Sequence, residues 1–266
     1  MVRRVKRAHE EHMETLALVE TELKSHNVSY HSAWRSQIDG KVDDVDLVIS
    51  VGGDGTFLDA SHALSQVPVL GVNSSCSSSF GHFCLANKDN FASCLEAILS
   101  GEAQPLEILR LELSINGTVI PELALNEVLI AHSSPAATSR YIIEVDGARE
   151  EHRSSGIWVS TPAGSTGSLR SAGGDVMPIN EANFQYLVRE ACMRPGENWR
   201  KLKGVVKGGE VLKVISQMRT GEIYIDGPHI IYPLALGDEL LVKASEHSLR
   251  AFMNADVNSI FSCAVH

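Results

Sequence analysis

Apolar residues follow two different spacings along this 266-residue chain. Between Arg3 and His26, Leu16, Val19 and Leu23 recur at helical intervals among charged residues, which predicts an amphipathic helix. Asp46 to Val51 (DLVISV) is a short β-branched run without alternation, as expected of a strand buried on both faces of a parallel sheet. GGDGT follows at once, and FLDASHALSQ after it reads as a helix. Pro68 to Asn73 (PVLGVN) is the next buried strand, Ser74 to Ser79 a loop, and Asp89 to Ser100 a helix ended by Gly101. Strand and helix alternating in this way predict a doubly wound α/β domain.

The pattern changes near Pro105. LRLELSI and the segments after it are short alternating strands, separated by turn signals such as Asn116-Gly117 and Asp146-Gly147. The alternation continues through VLKVIS, EIYIDG, DELLVKA and LRAFM. The expected fold class is therefore α/β + β: an N-terminal doubly wound α/β domain followed by a mainly antiparallel β domain. The boundaries fall at 1–104 and 105–266, with the last residues able to pack back on the first domain.

Composition narrows the function classes. A formal net charge of -10 argues against nonspecific nucleic-acid binding, which needs a basic field to displace counterions. No apolar run reaches membrane-spanning length, so no membrane partner is expected. The N-terminus lacks the apolar stretch of a secretion signal. The five cysteines, Cys76, Cys84, Cys94, Cys192 and Cys263, include no CxxC pair and fit reduced thiols. The expected compartment is cytoplasmic, with an organelle such as the peroxisome left open. His9-Glu10-Glu11-His12 has its histidines three apart rather than four, so it reads as a solvated helix face and no protein-held metal is expected. Trp34, Trp158 and Trp199 read as packing residues.

Gly52-Gly53-Asp54-Gly55-Thr56 lies between a parallel strand and a helix, where open α/β sheets bind ligands. Gly52, Gly53 and Gly55 let phosphate oxygens approach backbone N–H groups, and the following helix points its partially positive end at the same place. The sequence is neither a Walker A loop nor the dinucleotide GxGxxG fingerprint. A carboxylate in a phosphate loop repels the ligand, so Asp54 is out of place unless it binds magnesium or takes a proton from an attacking hydroxyl. The plainer alternative is a tight turn in which Asp54 caps the helix from Thr56.

Two further segments join GGDGT. ALNEVLIA contains Asn126-Glu127, and Ser160 to Gly174 reads STPAGSTGSLRSAGG. In this order and spacing the three resemble the motifs of NAD kinases over about Asp46 to Asp238, whereas diacylglycerol-type lipid kinases share only GGDGT. The resemblance implies a kinase that moves the γ-phosphate of ATP to the adenosine ribose 2′-hydroxyl of NADH or NAD, making NADP(H). It implies that Asp54 acts on that hydroxyl and that Mg2+ accompanies ATP. It further implies that Gly53, Gly55, Thr56, Phe57, Asn126, Glu127, Arg153, Ser155, Thr166, Gly167, Ser168 and Ser171 contact the substrate. It also implies a homodimer or higher homo-oligomer. Asp226-Gly227 reads as a strand-end turn, with an approach to the ATP phosphates as the lesser alternative.

Departures from the family pattern matter. The usual RGDG or RSDG reads Arg153-Ser154-Ser155-Gly156, so Ser155 replaces an aspartate, and the Ala-Tyr of STAY becomes Gly167-Ser168. With Ser134 to Arg140 (SPAATSR), this looks closer to the plant-type NADH kinase branch. No strand-like run precedes the first helix, so either the chain is a fragment or the sheet is one strand short. Besides the lipid kinase, a catalytically weak dinucleotide-binding regulator stays open.

Overall fold

The computed structural model describes residues 2–38 and 40–258; Cys263 lies outside them. The chain begins with α1 (Val2–Ser25), followed by β1 (Val48–Gly52), α2 (Asp54–His62), β2 (Val69–Asn73), β3 (Ala86–Asn87), α3 (Phe91–Leu99) and β4 (Leu106–Ile108). Next come β5 (Leu111–Ile115), β6 (Thr118–Val119), β7 (Glu127–His132), β8 (Ser139–Val145), β9 (Ala148–Ser154) and β10 (Ile157–Ser160). After α4 (Ser168–Ser171) follow β11 (Phe184–Val188), β12 (Lys203–Val206), β13 (Val211–Ser216), β14 (Gly221–Ile225), β15 (Ile230–Leu234), β16 (Glu239–Ala244) and β17 (Leu249–Phe252). No described helix is long and apolar enough to cross a membrane.

Two compact units result. Among the described residues, the first comprises 2–38, 40–107 and 249–257, the second 108–248 and 258. The first unit is α/β. Its sheet runs β1-β2-β17-β4, with β3 also on β2, and β1, β3 and β17 all pair with β2 in parallel. Every residue of β2 is buried, as its unbroken apolar pattern requires. Val19 and Leu23 of α1, and Phe91 and Leu95 of α3, pack with Leu70, Val72 and Phe252 into one core. The sequence pattern places Leu249–Phe252 among the antiparallel strands. Its pairing with β2 corrects that: a buried apolar strand carries no local mark of which sheet it joins.

The second unit is an antiparallel double sheet. One sheet runs β12-β11-β10-β7-β14-β15, the other β6-β5-β16-β13-β8-β9. Alternate residues of both sheets, among them Val128, Ile130, Tyr141, Ile143, Val159, Val214 and Ile223, form one apolar core. The turns at Asn116-Gly117 and Asp146-Gly147 have positive φ at both residues, as tight hairpins require.

Candidate active site

The candidate residues of the first unit gather at the end of β1. Gly53 stands at the N-terminus of α2 in an extended conformation, and the N–H groups of Thr56 and Phe57 return to its carbonyl. The helix therefore starts at Asp54, three residues before the apolar pattern suggests, because glycine's low helix propensity is overridden by this closed first turn. Asp54 caps nothing. Its Oδ1 instead accepts the Phe83 N–H at 2.8 Å, which ties the carboxylate to backbone 29 residues further along. Phe57 is wholly buried and stacks on Phe83 with ring centroids 5.2 Å apart, so it supports the loop from below. Gly55 and Thr56 are exposed.

The serine loop after β2 closes over these glycines. Ser74 N–H donates to the Gly52 carbonyl at 3.0 Å, and a Cβ on Gly53 would meet the Ser79 hydroxyl at 2.6 Å. The other side of the loop is held by α1. Glu11 accepts hydrogen bonds from the Ser75 and Ser77 hydroxyls at 2.6 and 2.8 Å, and pairs with Arg7. Those bonds hold the Glu11 carboxyl down at about 2. His12 Nδ1 meets the Ser74 hydroxyl at 2.9 Å, and Thr15 donates to the Ser74 carbonyl. The expected solvated face is thus half right: His9 and Glu10 are exposed, while Glu11 and His12 dock the helix.

Asn126 and Glu127 form the centre of the second unit's candidate site. Asp226, in the turn after β14, accepts the N–H groups of Leu125, Asn126 and Glu127 at 2.8, 2.7 and 3.0 Å. Its positive φ of 49° fits the strand-end turn read from the sequence. The grip on the Asn-Glu backbone was not legible there, because the residues lie 99 to 101 positions apart. On the other side, the Asn126 carbonyl accepts the Thr161 N–H, and it lies so near Gly164 that a Cβ there would fall 2.1 Å from it.

Glu127 is 7% exposed. Burial first, and the neighbouring Asp226 carboxylate second, push its carboxyl up to about 7. Its Oε2 is buried without a hydrogen-bond partner. A Cβ on Gly167 would lie 3.5 Å from that oxygen and 3.6 Å from Asn126 Nδ2, so Gly167 faces both side chains. Thr166 is half-buried; Ser168 and Ser171 are exposed.

Arg153 and Ser155 sit differently. Arg153 is ion-paired to Glu197 and lies over the Trp199 ring, which also packs on His152. Ser155 N–H donates to the Arg189 carbonyl. Trp158 carries Arg189 on its ring, whereas Trp34 is 61% exposed and does not pack as expected. Among the described residues no three His, Cys, Asp or Glu side chains converge as a metal site.

Known proteins resemble this chain in sequence and in fold. Residues 2–103 match the model of the ATP-NAD kinase N-terminal domain. The chain is 38% identical to a probable NADH kinase of Oryza sativa subsp. japonica, over 91% of this chain and 81% of that one. It is 34% identical to the NADH kinase of Arabidopsis thaliana, over 94% and 86%. The crystal structure of an NAD kinase from Archaeoglobus fulgidus in complex with ATP shares the fold, with a TM-score of 0.75 at 24% identity over 93% of this chain and 92% of that one.

Proposed function

The chain belongs to the NAD kinase family and is an NAD(H) kinase that uses ATP, and we propose that Asp54 takes the proton of the adenosine ribose 2′-hydroxyl as that oxygen attacks the γ-phosphorus. An alcohol is a poor nucleophile while protonated, and a positioned base gains about 10²–10⁴-fold in rate. Magnesium enters as part of the MgATP substrate and offsets the phosphate charge, while backbone N–H groups around Gly53 and Gly55 hold the phosphates. Asn126, which offers a donor and an acceptor, and Glu127 hold the dinucleotide. The Thr166–Ser171 segment lines it.

One observation carries the reading: a buried carboxylate oxygen without a partner, on a backbone fixed from two sides, next to a glycine. Leaving such an acceptor unpaired costs about 1–3 kcal/mol, and a ribose hydroxyl donating to Glu127 would relieve that cost. Asp54→Asn tests the base. It keeps the size and hydrogen-bonding shape but removes basicity. Dinucleotide binding should stay within a few-fold while turnover falls by about 10²-fold or more. A folded variant with near-normal turnover at saturating ATP and NADH would reduce Asp54 to a turn residue.

The proposal extends to substrate choice. Only oxidised nicotinamide carries a positive charge. With Ser155 where the family has an aspartate, NAD loses more attraction than NADH. NADH should be phosphorylated at least as well as NAD. A specificity constant about tenfold higher for NAD would contradict this.

A further inference from the structure

Far from Glu127 on the same strand, the second unit holds a cavity of about 340 Å³ that lies outside the GGDGT, Asn126-Glu127 and Ser160–Gly174 motifs. Glu127 and His132 stand at opposite ends of β7, roughly 17 Å apart at about 3.3 Å per residue. Arg140, Arg219, Thr138, Gln217, His132 and Met218 line the cavity, and no acidic side chain does. In a chain of net charge -10 that lining is distinctive. Both arginines are exposed, and neither takes part in an ion pair among the described residues.

The sheet register adds an independent observation. Arg140 of β8 is directly opposite Arg153 of β9. Like charges placed directly opposite on neighbouring strands are destabilising. Glu197 offsets Arg153, but Arg140 has no such partner. The Gln217 N–H donates to the Arg140 carbonyl, so the two residues stand next to each other at the cavity. His132 is fixed in orientation: its Nδ1 accepts the Ser134 N–H, and its Nε2 faces the Thr220 hydroxyl at 3.1 Å.

We propose that this cavity is an anion site that takes a diphosphate. Guanidinium groups bind phosphate oxygens in pairs, through two parallel N–H donors each. Two arginines, with Thr138 and Gln217 on the same cavity wall, supply enough donors for two linked phosphates. The ligand is a free diphosphate ion, since Glu127 and His132, five residues apart on β7, point to opposite faces of the sheet and the cavity is separate from the dinucleotide that Glu127 holds. The site rests on the geometry of the second unit alone and does not depend on the role given to Asp54.

The test is a calorimetric titration of metal-free protein with inorganic pyrophosphate, comparing wild type with the double variant Arg140→Gln, Arg219→Gln. Binding at the glycine loop is common to both proteins, so the difference isolates this cavity. The wild type should bind one more pyrophosphate than the variant, and pyrophosphate should raise the Tm of the wild type more. Arg140→Gln alone should raise the Tm of the free protein, since it relieves the opposition to Arg153. An unchanged KM for NADH with lost pyrophosphate binding supports a separate site, whereas a raised KM for NADH at unchanged kcat would place these arginines in the dinucleotide site and overturn the proposal. Equal stoichiometry and equal Tm response in the two proteins would overturn the proposal. The titration needs no turnover, so its outcome is separate from that of the kinase mechanism.

Discussion

Glu127 shows how a single side chain reports its surroundings. In the unfolded chain it titrates as an ordinary carboxyl, and in the fold burial and Asp226 push it up to about 7. The folded state therefore holds more protons between those two values, so stability falls as pH rises from about 4.5 to 7 and then levels off. Glu127→Gln is neutral at every pH and escapes that loss. Its Tm should exceed that of the wild type at pH 8 by more than at pH 4, while dinucleotide binding weakens because one of the two acceptor oxygens becomes an NH2 donor. A Tm difference independent of pH would show that Glu127 is not titrating in this range. The Asn126-Glu127 pair itself was legible in the sequence as a motif. Its burial and its hold by Asp226 were not, because both arise from strands that meet only in the folded sheet.

Among the elements, α1 departs furthest from sequence expectation. Its existence was clear from Leu16, Val19 and Leu23, and the observed helix ends within a residue of the reading. What the periodicity could not show is its polar edge. Glu11 reaches hydroxyls 64 and 66 positions away, and no local pattern encodes such a contact. The family resemblance implies a strand ahead of the first helix, while among the described residues α1 is the first element, and it grips the loop that overlies the glycines of GGDGT. Glu11 has a depressed folded pKa, so its contribution to stability is fully present above about 4.5 and is lost as pH falls toward 2. Glu11→Gln should therefore lower Tm at pH 7 more than at pH 3. It should also raise the KM for ATP more than it lowers kcat, since the serine loop touches Gly52 and Gly53 but not the Asp54 carboxylate. An unchanged KM for ATP, or an equal Tm loss at both pH values, would mean that the helix docks without Glu11, through Val19, Leu23 and the bonds of His12 and Thr15 to Ser74.

At the scale of the whole molecule, the chain leaves its first unit after Glu107 and comes back to it at Leu249. The local pattern made the two fold classes legible, because a β-branched run without alternation and a series of alternating strands differ at every position. It left open a return of the last residues to the first domain but did not single out LRAFM for it, which looks the same whether it ends an antiparallel sheet or completes a parallel one. In the fold, β17 lies between β2 and β4, with Ala251 opposite Val69 and Phe252 opposite Leu70. Leu249, Ala251 and Phe252 are all buried, and Phe252 packs in the core with Val19, Leu23, Phe91 and Leu95. The first unit's stability therefore depends on residues read about 180 positions after β2. Phe252→Ala should cost about 3–5 kcal/mol, the usual loss for removing a buried aromatic side chain. Leu236→Ala, at a residue 62% exposed, should stay within about 0.5 kcal/mol of wild type. Urea unfolding followed by circular dichroism measures both. If the two variants unfold at the same urea concentration, β17 does not hold the α/β sheet together. If Phe252→Ala is destabilised as expected, the second unit is an insertion within the first, and the glycine loop depends for its support on a strand that arrives only after the β domain has been traversed.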